Sequence, residues 1–225
     1  ASIKAFCGQH GGTVCTSSNA VATFQWAWNR GARILFLPDQ HLGRNTAFGM
    51  GVPLQQMCVW DPNVRWGGLE PSELHDARMI LWKGHCSVHT KFTVEQIERL
   101  RASHPGIRII SHPECTWEVI QASDEVGSTS HIIRQVTESP AGSIWGIGTE
   151  IHLVNRLAQE LAPERTVMTL DPLGCLCSTM YRVSPNHLCW VLEGLVNGEV
   201  RNQVSVPDDH KRWTRVALDR MLSIQ

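Results

Sequence analysis

Short apolar runs alternate along this chain with longer stretches in which apolar residues recur every three or four positions. Arg33–Leu37, Met79–Trp82, Ile107–Ser111, Ser143–Gly148 and Val167–Leu170 read as strands, being brief and rich in branched or aromatic residues. Val94–Ser103, Thr116–Glu125 and Ile151–Leu161 carry the spacing of amphipathic helices. Strands and helices taking turns predict an α/β fold of parallel sheets with helices on both faces. In such sheets the chemistry collects at the carboxyl ends of strands and the amino ends of helices.

An internal repeat sharpens this picture. Thr16-Ser17-Ser18 opens one helical stretch, and Asp39-Gln40-His41-Leu42 follows behind a strand. Ser128-Thr129-Ser130 opens another, and Glu150-Ile151-His152-Leu153 again follows a strand. The ordered set of hydroxyl cluster, helix, strand and acid-x-His-Leu predicts two related α/β units. The first spans residues 1–78 and the second residues 79–165, with a C-terminal segment of helices at 166–225. Within the first, the Trp-, Pro- and Gly-rich stretch at about 58–74 reads as a surface insertion.

Composition narrows the class. Of 225 residues 42% are hydrophobic and 18% charged, enough to bury a core and too apolar for disorder. A formal charge of -1 gives no electrostatic case for nucleic acid. The longest apolar run, Ile34-Leu35-Phe36-Leu37, falls far short of the roughly 20 residues of a membrane helix, and no export leader opens the chain. A globular protein outside the membrane is expected. The chain starts at Ala1, inside what reads as a helix, as a fragment would.

Its eight cysteines are too many to pass over and too scattered for a disulfide scaffold. Most are expected to be buried apolar thiols. Cys86, in Trp82-Lys83-Gly84-His85-Cys86-Ser87-Val88-His89, follows a strand directly and stands three residues before His89, a spacing that also suits zinc. Cys175-Leu176-Cys177 precedes an amphipathic helix with Leu188, Val191, Leu192 and Leu195 on its stripe. One thiolate per unit suggests a metal held between units. His112-Pro113-Glu114 closes the strand Ile107–Ser111, and its proline turns both flanking side chains off the sheet edge. A histidine and a carboxylate placed so are candidates for proton transfer. The hydroxyl clusters are helix caps first and, in matched positions, candidate sites for carboxylate or phosphate.

Taken in order along the chain, these motifs resemble the quinolinate synthase family. The matching stretches are Cys15-Thr16-Ser17-Ser18-Asn19-Ala20, Leu37 to Arg44, Trp82 to His89, His112-Pro113-Glu114, Gly127-Ser128-Thr129-Ser130 and Cys177-Ser178-Thr179-Met180. The resemblance implies three α/β units about a pseudo-threefold axis, two of them in this chain. It implies a [4Fe–4S] cluster held by one cysteine from each unit, with one iron left free as a Lewis acid. The implied reaction condenses iminoaspartate with dihydroxyacetone phosphate to quinolinate, for de novo NAD biosynthesis. Carried over by motif, Cys86 and Cys177 are cluster ligands; Ser17, His112, Pro113, Glu114 and Thr129 line the substrate pocket. Glu114 and His112 are then the catalytic pair, and Asp39, His41 and Arg44 stand near enough in the motif to support it.

The family's first cluster cysteine has no match here, which implies that the chain by itself neither holds a stable cluster nor turns over. Cys175 is the alternative to Cys177 as ligand, although the spacing to Ser178-Thr179-Met180 favours Cys177. An oxygen-sensitive iron implies the cytoplasm, and a short-lived substrate implies a functional link to aspartate oxidase. Two rival readings stand beside this one. A zinc-dependent hydrolase would use Cys86, His89 and His112; a non-catalytic anion-binding module would need only Ser17 and Thr129.

Overall fold

Helices and parallel strands alternate through most of the computed structural model, which describes residues 1–224. In chain order the elements are α1 (Ser2–Gln9), α2 (Ala20–Trp28), β1 (Ile34–Phe36), α3 (Gln40–Gly49), β2 (Met57–Trp60), α4 (Pro71–Asp76) and β3 (Met79–Trp82). Then come α5 (Val94–Ser103), β4 (Arg108–Ser111), α6 (Trp117–Ala122), β5 (Glu125–Val126), α7 (Thr129–Glu138) and β6 (Ile144–Gly148). The last are α8 (Ile151–Leu161), β7 (Thr166–Thr169), α9 (Pro185–Val196) and α10 (Asp208–Ser223). Two compact units share them: one takes Cys15–Leu176 with residue 224, the other Ala1–Val14 and Cys177–Ser223.

The larger unit holds two sheets, and every strand pair in both is parallel. Their orders are β1-β3-β2 and β5-β4-β6-β7. The α/β class expected from the alternation is therefore the class found. Central strands carry the most apolar sequence because helices cover both of their faces. In β3, Met79 and Leu81 are fully buried, and in β4 so are Ile109 and Ile110. Phe24, Phe36, Leu42 and Ala47 complete the first core; Trp145, Ile132, Val136 and Leu157 complete the second.

Three details depart from the sequence reading. Met57–Trp60, partly within the stretch read as an insertion, is an edge strand hydrogen-bonded along β3. Strand β3 itself, read as the opening of the second unit, is the centre of the first sheet, which thus runs to Trp82. The helix expected over Thr116–Glu125 stops at Ala122, because Glu125-Val126 is drawn into β5 beside β4.

The smaller unit is helical. Gly8 of α1 packs so tightly on α10 that a Cβ there would lie 1.9 Å from the Trp213 carbonyl. Arg220 of α10 donates to the carbonyls of Gly8 and Gly12, and the Thr13 hydroxyl to that of Ala217. Helix α9 starts with Ser184 capping the His187 amide and a proline in its first turn. Its stripe residues Leu188, Leu192 and Leu195 are each about half exposed, with Val191 partly buried. Among the described residues no helix is long and apolar enough to cross a membrane.

Candidate functional site

The carboxyl ends of the two parallel sheets supply the unusual side chains. After β1 the chain reaches Asp39, the N-cap of α3, whose Oδ1 accepts from the Leu42 amide at 2.8 Å. Its other oxygen, Oδ2, accepts from the Cys86 amide at 2.9 Å. That contact needs the loop after β3 to lie on the loop after β1. Gly84 permits it, since a Cβ there would lie 2.2 Å from the Pro38 carbonyl oxygen. One carboxylate thus starts a helix and pins the backbone of the candidate thiolate.

Six residues into α3, Asn45 does the same for the second sheet. Its Nδ2 donates to the carbonyls of Pro113 and Cys115, at 2.8 and 2.9 Å, so Glu114 is held from both flanks. Among the described residues the buried Asn45 Oδ1 has no hydrogen-bond partner. Leaving such an atom unpaired costs about 1–3 kcal/mol, which the clamp must offset.

Between these anchors the side chains converge. Ligand-type atoms of Cys86, His89 and Glu114 all lie within 4.8 Å of one another. His89 Nδ1 is 2.9 Å from Glu114 Oε2, and Nε2 lies 3.3 Å from the Thr149 hydroxyl after β6. The ring of His112 stacks on that of His89, with centroids 4.5 Å apart and planes 15° apart. The Glu114 amide donates to His112 Nδ1 at 3.3 Å, leaving Nε2 to carry the proton toward the Ser17 hydroxyl, also at 3.3 Å.

The electrostatics follow from these contacts. Burial alone would lower His89, but hydrogen bonds to Cys86 and Glu114 and their charges raise it to about 9. Burial pushes the Cys86 thiol up, and the hydrogen bond and charge of His89 outweigh it, leaving the thiol below its ordinary value. Glu114 likewise ends below the usual carboxylate range: burial raises it, while the hydrogen bond and the charge of His89 prevail. Burial and the neighbouring His89 hold His112 down to about 4, so it is neutral at physiological pH. The site is an ionised carboxylate and a thiolate-prone cysteine sharing one imidazolium, beside a neutral histidine that donates from Nε2.

The structure thus brings Cys86 together with Glu114, and Ser17 with His112. Pro113 takes part through its carbonyl. Thr129 is exposed at the first position of α7, behind Ser128, whose side chain caps the His131 amide. Cys177 belongs to the smaller unit, where its carbonyl accepts from the Tyr181 amide. Cys175 is fully buried in the larger unit; burial and the Asp171 carboxylate, to which its thiol donates at 3.2 Å, push it up to about 12. The third donor beside Cys86 and His89 is Glu114, in place of the His112 of the zinc-hydrolase reading. Asn45 and Thr149 carried no signal in the sequence, since their partners lie about 70 and 60 positions away.

Known proteins match the sequence along the whole length of the chain. The chain is 58% identical to a quinolinate synthase of Acidobacterium capsulatum over 226 aligned residues, covering 100% of this chain and 61% of that protein. It is 54% identical to a quinolinate synthase of Herpetosiphon aurantiacus, covering 100% of the chain and 60% of the relative. For one of Rhodopirellula baltica the identity is 52%, over 100% of the chain and 57% of the relative. The chain therefore spans about three fifths of the length of these curated relatives. A family model described as Quinolinate synthetase A protein matches residues 1–223, and the chain belongs to that family.

Proposed function

We propose that this chain carries the greater part of a quinolinate synthase pocket, for condensing iminoaspartate with dihydroxyacetone phosphate in de novo NAD biosynthesis. The observation that carries the reading is the arrangement around Glu114: an ionised carboxylate, a neutral Nε2–H imidazole and a serine hydroxyl beside a thiolate-prone cysteine. The donors suit an iron–sulfur cluster, because Cys86 is partly exposed at a strand's carboxyl end and is held below its ordinary thiol value. Cys86 and Cys177 would hold the cluster, and the buried, protonated Cys175 thiol favours Cys177 over it. When bound, the cluster supplies a Lewis-acidic iron.

The chain's own residues account for binding and proton transfer. Ser17 accepts from His112 Nε2 and so keeps its own O–H for a substrate carboxylate. Thr129, in the first turn of a ten-residue helix, adds a hydroxyl beside free backbone N–H groups, a setting for a carboxylate or phosphate. Glu114 can take a proton at a carboxylate oxygen, and His112 can hold one at Nε2 against a developing oxyanion. Pro113 keeps both side chains off the sheet. The acid-capped helix after a parallel strand, found in both sheets, supports two related units of a pseudo-threefold set. A cytoplasmic setting and a functional link to aspartate oxidase belong to the same proposal.

The test is a chimera in which these 225 residues replace the matching part of the Acidobacterium capsulatum relative. After anaerobic reconstitution it should hold about four irons per chain and form quinolinate. Cys86→Ser should lose both, and Glu114→Gln should lose product but keep iron. A folded, iron-loaded chimera that makes no quinolinate would overturn the reading. The 225 residues alone should stay well below four irons per chain, with two of three cysteine ligands matched.

A further inference from the structure

We infer that Asp39 is a positioning residue for the iron–sulfur site: its carboxylate, seated on the Cys86 amide, poises the cluster in the oxidised form that serves as a Lewis acid. The inference deepens the iron–sulfur reading and rests on it. Both backbone groups of Cys86 are taken. Its N–H goes to Asp39 Oδ2 at 2.9 Å, and its carbonyl accepts from the Thr90 amide at 3.2 Å and the Thr90 hydroxyl at 3.1 Å. The Gln40 amide donates to the Gly84 carbonyl at 3.0 Å and ties the same two loops a second time. The amides that face the Cys86 sulfur are those of Val88 and His89. Its own amide is turned the other way, onto a carboxylate.

A buried carboxylate beside a cluster ligand has an electrical consequence. Asp39 is 7% exposed, and each of its oxygens accepts from a backbone amide, which suits the ionised form. The Cys86 sulfur is three bonds from the nitrogen that Asp39 grips, so the charge stands within roughly 7 Å of that sulfur. At an effective dielectric of about 20, a unit charge at such a range changes an electron-transfer equilibrium more than tenfold. An electron entering the cluster is therefore disfavoured, local charge being one of the quantities that set such potentials. The proposed condensation moves protons and releases leaving groups but transfers no net electron. A cluster kept oxidised is the one it can use.

The test is an anaerobic redox titration of the reconstituted chimera, with the paramagnetic reduced cluster read by electron paramagnetic resonance. Asp39→Asn and Asp39→Ser each keep a side-chain oxygen to cap α3, and each removes both the charge and the bond to Cys86. At a fixed applied potential, either variant should raise the ratio of reduced to oxidised cluster at least tenfold, a shift of about 59 mV for one electron. Glu160→Gln, which removes a surface charge from α8, should leave the ratio unchanged. Iron content is measured before each titration, and circular dichroism checks that each variant folds. An unchanged or lowered ratio in an iron-loaded variant would overturn the inference and leave the iron–sulfur reading standing. So would two folded variants that hold no cluster, since Asp39 would then serve assembly rather than poise. An unaltered chimera without a cluster would overturn both.

Discussion

The two acid-x-His-Leu segments begin alike and end differently. Asp39 and Glu150 both follow a parallel strand, and both cap the next helix by accepting a backbone amide two or three residues on. The spare oxygen then parts company. Asp39 spends it across the fold on the Cys86 amide, whereas Glu150 spends it on the side chain of its own His152, at 2.6 Å. Further along, Asn45 on α3 clamps the Glu114 loop, while the matching Arg156 on α8 pairs with Glu160 at the surface. The same cap therefore serves two ends: in one helix it closes on itself, in the other it becomes part of the site.

Substitution should separate the two. Asp39→Ala loses a cap and leaves a partly buried Cys86 N–H unpaired, and should cost about 2–3 kcal/mol in urea unfolding. Glu150→Ala loses the cap and a half-exposed contact to His152, leaves no buried donor unpaired, and should cost about 1 kcal/mol. Equal losses would erase the distinction. Next in size, Asn45→Ala should cost about 1–2 kcal/mol, two lost hydrogen bonds being partly offset by removal of the orphaned Oδ1. Amide exchange should quicken over residues 113–116 and not over α8; uniform quickening would make Asn45 an ordinary helix residue.

A separate effect is in pH. Burial first, then the Arg44 charge, hold His41 down to about 4, and Arg44 donates to its Nδ1 at 3.2 Å. The unfolded chain protonates this histidine near pH 6.5 and the folded chain only near 4. Its contribution is therefore complete above about pH 6.5 and is lost as pH falls toward 4, where the unfolded state binds the extra proton. His41→Gln should flatten stability over that window; an unchanged slope would place the titration elsewhere.

Much of this was legible in the residues. The strands after which Asp39, Cys86, His112 and Glu150 stand were readable as short apolar runs, and Ser128 declared itself as a cap. Strand β2 was hidden because its Trp60 and Cys58 sit among prolines and glycines, and β5 because two residues show no period. The pairing of α1 with α10 spans most of the chain, and no local pattern announces it. For the site, individual residue types were visible, but not that His89 meets Glu114 rather than His112 through its ring nitrogen. That depends on which nitrogen Thr149 occupies, a matter of tertiary contact alone.

Helix α3 has one more consequence. From its cap at Asp39 to Asn45 it spans about 9 Å of stiff backbone, and the loops bearing Cys86 and Glu114 are both fastened to it. The distance between sulfur and carboxylate is then set by a strut rather than by the chain that joins them. Residues 61–76, between β2 and β3, can lengthen, shorten or change composition without retuning that distance. The strut confines tolerance to one stretch and intolerance to a few atoms, so a library randomised over 61–76 should yield many working variants, and one over 39–45 very few.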